Sequence, residues 1–253
     1  MLAAERRQII KGRIQAAGRV VVSELSPEFG VSEETIRRDL EWMEQQGIAS
    51  RTYGGAVLAD AGRVAPPYSI RKGTNIDEKV AIAQRFSAMV KDGDTLMVDE
   101  SSTAAYAVRA LRHLRDITLI TNSIELLQEM SSQESWRIIS TGGALKSEVM
   151  ALVGPHALNT VASYHVGYTV FSCRGVNTRL GLADSDEQVV EVKRAMLKAC
   201  DCAILLADHR KLDRSGFTAL GPLSLADRLV TDREPPEEWL LRLEEQGVEA
   251  IWG

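Results

Sequence analysis

Apolar residues recur at helical spacing along the first part of the chain, and past residue 90 they gather into short runs separated by helical stretches. Residues 4–16 place Ile9, Ile10 and Ile14 near one face among Arg, Lys and Gln, which predicts a first helix ending near Gly18. Val20, Val21 and Val22 form a β-branched run, after which Ser23 is the expected cap of a short second helix carrying Leu25 and Phe29. Pro27 lacks the amide a helix interior needs, so that helix should be shortened or distorted. Gly30 supplies a turn, and residues 31–46 read as a third helix. Its Ile36, Leu40 and Met43 share one narrow face; Glu34, Thr35, Arg38, Glu41 and Trp42 spread over the opposite one, with Arg37 on the flank. Ser32 is the expected N-cap, Glu33 and Glu34 suit the positive end of the helix dipole, and Val31 and Ile36 form a hydrophobic staple.

Gly47 and Ile48 end the third helix, and residues 49–58 alternate as a small hairpin turning at Gly54-Gly55. A helix, a short helix, a glycine turn and a capped helix bearing arginines make a helix-turn-helix, whose third element enters the major groove. The hairpin is then a wing, with Arg51 and Tyr53 placed to touch the phosphate backbone or minor groove; packing on the third helix is the other reading of Tyr53. Residues 59–72, rich in Ala, Gly and Pro and without a period, read as a linker between domains at 1–58 and 73–253.

The second domain alternates. Helices are predicted near 77–90, 103–114, 124–131, 155–163, 187–200 and 237–246, and strands at 95–99, 117–121, 137–141, 166–172, 202–208, 228–231 and 248–252, with an irregular glycine-containing stretch after 141. Strands separated by helices of this size imply an α/β fold with a mostly parallel sheet.

Charge narrows what the first domain can do. The net charge is −5, and residues 1–58 carry eight basic against eight acidic side chains, so DNA binding would rest on a local patch rather than on bulk attraction. No run approaches the ~18–20 apolar residues of a membrane span, and the N-terminus is charged where a signal peptide needs an apolar block, so the expectation is a cytoplasmic protein. Three cysteines, Cys173, Cys200 and Cys202, suit neither a disulfide framework nor a zinc site; no metal or other cofactor is implied.

In open α/β sheets ligands gather beyond the carboxyl ends of the strands. Five such ends carry hydroxyls, glycines or cations: Asp99 to Thr103, Thr121-Asn122-Ser123, Thr141-Gly142-Gly143, Ser172-Cys173-Arg174-Gly175, and Asp208-His209-Arg210-Lys211. Hydroxyls and free amides before a helix suit a phosphate, and Gly142 and Gly143 permit close approach of backbone to ligand. Ser123, Arg174 and Lys211 join the candidate site on this ground.

The chain resembles the DeoR family of bacterial transcriptional regulators. In the first domain the likeness rests on ERRQII at 5–10, on SEL and FGVSEETIRRDL within 23–40, and on GI, R and YGGAV within 47–57. In the second it rests on VDESST (98–103), ITNS (120–123), TGG (141–143), VG and HAL (153–158), GL, DS, E and VKRAM within 181–196, and LLADHRK (205–211). The resemblance implies a sensor domain folded like ribose-phosphate isomerases and CoA transferases. On that match Asp99, Ser101, Ser102 and Thr103 would cradle a phosphorylated sugar with Asn122, Gly142 and Gly143, and Lys193 would supply a cation. Pro27 stands in the second helix, Ser101 stands where the family often has glycine, and Ser172 to Gly175 replace a glycine- and acid-containing segment.

Two classes of function compete. The first is a repressor of a carbohydrate catabolic operon, acting as a homodimer or homotetramer so that paired third helices meet half-sites ~34 Å apart on double-stranded operator DNA. Ser32, Thr35, Arg37 and Arg38, with Arg51 and Tyr53, would contact that DNA, Arg37 as a phosphate contact and Arg38 as a base reader. The alternative is a sugar-phosphate isomerase or deaminase with an accessory N-terminal domain, using Asp99, Glu100, Asp184, Asp186 or Glu187 as acid or base and Lys193 as anion partner. No nucleophile and base pair is identifiable, so no catalytic residue is assigned. An N-terminal domain that binds protein instead of DNA is a third reading.

Overall fold

The computed structural model describes residues 2–17, 19–46, 48–52, 54–58 and 67–253. Tyr53 and most of the expected linker lie outside them. The chain divides into two compact units, Met1–Ile70 and Arg71–Gly253.

The first unit begins with α1 (Ala3–Ala17), β1 (Arg19–Val21), α2 (Val22–Phe29) and α3 (Glu33–Gln45), followed by β2 (Ala49–Thr52) and β3 (Gly55–Leu58). The valine run is thus a strand, and β1, β3 and β2 form one three-stranded antiparallel sheet. Ser23 does not cap α2. The helix starts two residues earlier than that cap implies, after Val21, and the Val22 amide donates to the carbonyl of Gly54 at 2.8 Å, so the wing's turn satisfies a first-turn donor. Pro27 sits inside α2, which ends three residues later at Gly30 in a left-handed conformation with φ 62°. Ile36, Leu40 and Met43 of α3 are fully buried with Ile10, Ile14, Val22 and Leu25, and Val31 packs on the same cluster. Each such side chain contributes roughly 1.5–3 kcal/mol on burial, and together they fix which face of α3 points out.

A short helix, α4 (Tyr68–Lys72), occupies part of the stretch expected to be irregular. Arg71 and Lys72 already bond within the second unit: Arg71 reaches the carbonyl of Val149 at 3.4 Å, and Lys72 pairs with Glu125 and Glu129.

The second unit runs α5 (Ile76–Ser87), β4 (Thr95–Val98), α6 (Ser102–Ala110), β5 (Thr118–Thr121), α7 (Ile124–Met130) and β6 (Arg137–Ser140). It continues with β7 (Ala144–Lys146), β8 (Ala151–Val153), α8 (Pro155–Ala162), β9 (Val166–Phe171), β10 (Gly175–Asn177), β11 (Gly181–Asp184) and α9 (Glu187–Leu197). β12 (Cys200–Leu206), β13 (Thr218–Gly221), β14 (Arg228–Val230), α10 (Glu237–Glu245) and β15 (Glu249–Ile251) complete it. Seven strands form a parallel sheet in the order β15-β14-β12-β9-β4-β5-β6. Alternation along β12 feeds two cores: Ile204 and Leu206 face Ile82, Phe86 and Val108, while Ala203 and Leu205 face Phe171, Val190 and Trp239.

The chain lays down β4, β5 and β6 toward one edge, then returns to place β9 on the other side of β4. That reversal opens a crevice at the carboxyl ends of β4 and β9, where α/β sheets take their ligands. Two additions flank it. The stretch after 141 is no irregular loop but holds the antiparallel β7–β8 pair, and β10, β11 and β13 form a small antiparallel sheet. No described helix is long and apolar enough to cross a membrane.

Candidate functional site

On α3 the Ser32 hydroxyl accepts the Thr35 amide at 3.3 Å and lies 2.9 Å from the Thr35 hydroxyl, so the predicted cap is formed. Arg37 pairs with Glu33 at 2.6 Å, one turn back, and is half exposed. Arg38 is 76% exposed, and its contact with Glu34 is loose at 3.6 Å. Exposed pairs of this kind hold a side chain by about 0.3–0.5 kcal/mol, so neither arginine is committed to its partner. Arg51 of the wing is held close to α3: its amide donates to Glu44 at 2.9 Å and its guanidinium reaches Glu41 at 3.9 Å. Asp39, which sequence reading passed over, lies buried in the same helix and binds Arg6 at 2.5 Å and Arg7 at 2.7 Å, tying α1 to α3.

In the second unit Lys193 of α9 is the hub of the crevice. It is 2% exposed, and its ammonium lies 2.7 Å from Asp184, 3.1 Å from Asp99 and 3.2 Å from Glu100, and donates to the Ser172 carbonyl at 2.8 Å. Burial alone would lower its pKa; the three carboxylates instead hold it well above the usual lysine value. Burial pushes Glu100 up, whereas Asp184, despite its burial, is kept below its usual range by Lys193. Asp99 is fully buried and bonded on both oxygens: Oδ1 accepts the Ser101 amide at 3.0 Å, and Oδ2 accepts the Ser172 amide at 2.9 Å beside Lys193. It ties the end of β4 to the end of β9.

Around this hub the predicted residues divide. Ser101 and Ser123 act as caps, accepting the amides of Ala104 at 3.1 Å and Leu126 at 3.3 Å. Ser102 and Thr103 form the buried first turn of α6, whose leading amides have no carbonyl partner within the helix. Asn122 is fully buried, 3.4 Å from both Glu100 and the Leu152 carbonyl, and its Oδ1 has no hydrogen-bond partner. An unmet buried acceptor costs about 1–3 kcal/mol, which a ligand hydroxyl would relieve. Gly143, at φ 111°, has no room for a side chain: a Cβ would stand 2.5 Å from the Val153 carbonyl, so only glycine lets this loop lie against β8. Gly142 is also left-handed and faces open space. Lys146 of β7 pairs with Asp186 at 2.5 Å, fastening the β7–β8 hairpin to the start of α9.

Lys211 donates to the Ser172 hydroxyl at 2.6 Å and has no carboxylate within ion-pair distance among the described residues. Arg174 is half-buried and likewise unpaired there; burial, and then repulsion from Arg214, lower its pKa. Sequence reading missed Lys79. It is buried on α5, donates to the carbonyls of Arg71 and, at 2.6 Å, Thr74, and makes no ion pair with a described residue. Burial, and then the positive charge of Lys211, lower its ammonium to about 8. The signal available was a lone lysine on the inward face of a helix, which reads as a solvated charge in any single sequence.

These features define a winged helix-turn-helix unit joined to an α/β unit with a cation-lined crevice at its strand ends. The chain matches the DeoR-like helix-turn-helix domain over residues 6–61 and the DeoR C terminal sensor domain over residues 74–233. It belongs to the DeoR family of transcriptional regulators. It is 39% identical to the HTH-type transcriptional regulator YulB of Bacillus subtilis (strain 168), over 92% of this chain and 90% of that one. It is 30% identical to the glycerol-3-phosphate regulon repressor of Escherichia coli (strain K12), over 88% of each. Among solved structures it is similar to ribose 5-phosphate isomerase A from Methanocaldococcus jannaschii, with 18% identity and a TM-score of 0.41 over 55% of each chain. The relatives are regulators, and the chain is accordingly a DNA-binding transcriptional regulator, not an isomerase or deaminase.

Proposed function

We propose that this regulator represses a carbohydrate catabolic operon and releases its operator when a phosphorylated sugar fills the crevice of the second unit. Ser32, Thr35 and Arg38 of α3 face base edges, Arg37 and Arg51 take phosphates, and Tyr53 joins them from the wing. The effector's hydroxyls meet Asn122 and the backbone around Gly142 and Gly143, beside the helix start at Ser101 to Thr103 and Ser123, and Lys211, Lys79 and Arg174 neutralise its phosphate. Asp99 and Lys193 hold the walls of that site in place. The protein acts in the cytoplasm as a dimer or tetramer, which pairs two α3 helices on one operator.

The observation that carries this reading is Lys211 at the end of β9, with the buried Lys79 close enough to feel its charge, neither having a carboxylate within ion-pair distance among the described residues. Cations left unbalanced in a partly buried place favour an anionic ligand. To act as an inducer the sugar phosphate must bind the state of low DNA affinity more tightly, because equal affinity for both states shifts nothing. Fluorescence anisotropy of the protein on DNA upstream of its own gene, repeated with a panel of sugar phosphates, tests the proposal. Binding that at least one of them reverses supports it; an operator complex indifferent to all of them removes the sensor half.

A further inference from the structure

Arg7 is placed in a way that its ion pair does not exhaust. Asp39 accepts the Nε of Arg6 on one oxygen and the Nε of Arg7 on the other, so one buried carboxylate balances two guanidinium groups and leaves one positive charge in excess. Arg6 is buried beside it, whereas Arg7 keeps 28% of its side chain exposed. The Arg7 guanidinium lies 4.6 Å from the centre of the Trp42 ring, and Trp42 is itself exposed on the outer face of α3. The terminal nitrogens of an arginine carry four of its five N–H groups, and no described residue accepts those of Arg7.

The position of Trp42 says where those donors point. It lies seven residues after Thr35, hence within about 20° of the same direction around the helix and roughly 10 Å further along its axis. Thr35, Arg38 and Trp42 therefore form one stripe. The major groove is about 12 Å wide, so when one end of such a stripe meets base edges, a cation at the other end arrives at the wall of the groove, which is phosphate.

We propose that Arg7, fixed by Asp39 and stacked on Trp42, is a DNA-phosphate contact that α1 supplies to the recognition face, with Trp42 as the residue that positions it. The inference rests on the reading of α3 as the DNA-contacting helix. Asp39 sets the direction of the side chain and the indole sets the plane of its fork, so ordering the arginine takes place on folding and not on binding.

The test is anisotropy on two duplexes, the DNA upstream of the protein's own gene and a scrambled sequence, across a range of salt. Arg7→Gln should weaken binding to both by a similar factor of about 3–10 and lower the salt slope by about one. Trp42→Ala, which leaves the Arg7 and Asp39 pair in place, should weaken both duplexes by a smaller factor and keep the slope. Unchanged affinity and slope in a folded Arg7→Gln protein would overturn the proposal, leaving Arg7 only the task of holding Asp39. Should Arg7→Gln fail to fold, Trp42→Ala decides, and wild-type affinity there overturns it. Failure of the wild-type protein to bind either duplex would instead remove the DNA reading itself.

Discussion

Arg38 and Lys193 are both cations on helices, and the protein treats them in opposite ways. Arg38 is 76% exposed with its nearest carboxylate at 3.6 Å; Lys193 is 2% exposed with three carboxylates within 3.2 Å. The first charge is held loosely enough to be surrendered to a partner. The second is so fully engaged that removing it would leave Asp99, Glu100 and Asp184 facing one another. The comparison separates charges available for recognition from charges that build the place where recognition occurs.

The largest expected effect breaks the buried side of the comparison. Lys193→Met should cost about 3–5 kcal/mol of stability near pH 8, since stripping one member from a buried ionic group strands the others. In that variant the carboxylates have folded-state pKa values raised above their unfolded ones, so stability should recover as pH falls and they protonate. Urea melts of the full chain at several pH values check this, and a cost independent of pH would mean that packing, not charge, is at stake.

Lys79 sits between the two extremes, buried on two carbonyls with no carboxylate partner among the described residues, and it sharpens the contrast. A charge-assisted hydrogen bond to phosphate contributes about 1.5–3 kcal/mol, so Lys79→Met should weaken a sugar phosphate by roughly 10–100-fold. Because burial lowers this ammonium to about 8, wild-type affinity should fall as pH rises through that value. Calorimetric titrations of wild type and variant across that range should show the fall only in the wild type.

The smallest effect concerns the frame of the exposed side. Ser32→Ala removes the acceptor for the Thr35 amide and should destabilise the first unit by about 1 kcal/mol, while Ser32→Asn should be nearly neutral. Thermal melts followed by circular dichroism resolve that difference.

The contrast also explains what was legible in the sequence. Period and capping announce α3 because its pattern is local: Ser32 needs only Thr35, and Ile36, Leu40 and Met43 need only one another's spacing. The seven parallel strands were readable for the same reason, each being an apolar run bounded by turn residues. The short antiparallel strands β1, β7, β8, β10, β11 and β13, of three or four residues each, were not, since each exists through its partners. Ser23 looked like a cap, but the helix begins at Val22, whose amide is held by the carbonyl of Gly54, more than thirty residues away, and this places Ser23 inside the first turn. The roles of Lys79, Lys193 and Asp39 were hidden likewise. A charged residue on a helix reads as solvated, and only the fold brings Asp99, Glu100 and Asp184 to one ammonium, or Arg6 and Arg7 to one carboxylate.

The most direct test of the central claim is the ratio of affinities for the upstream duplex and a scrambled one, at one fixed salt concentration, in wild type and in Arg38→Ala. If Arg38 reads a base, the substitution should cost about 1–3 kcal/mol on the upstream duplex alone, and the ratio should fall by roughly 5–150-fold. An equal loss on both duplexes would contradict the account and make Arg38 a phosphate contact, leaving the recognition of sequence to other residues.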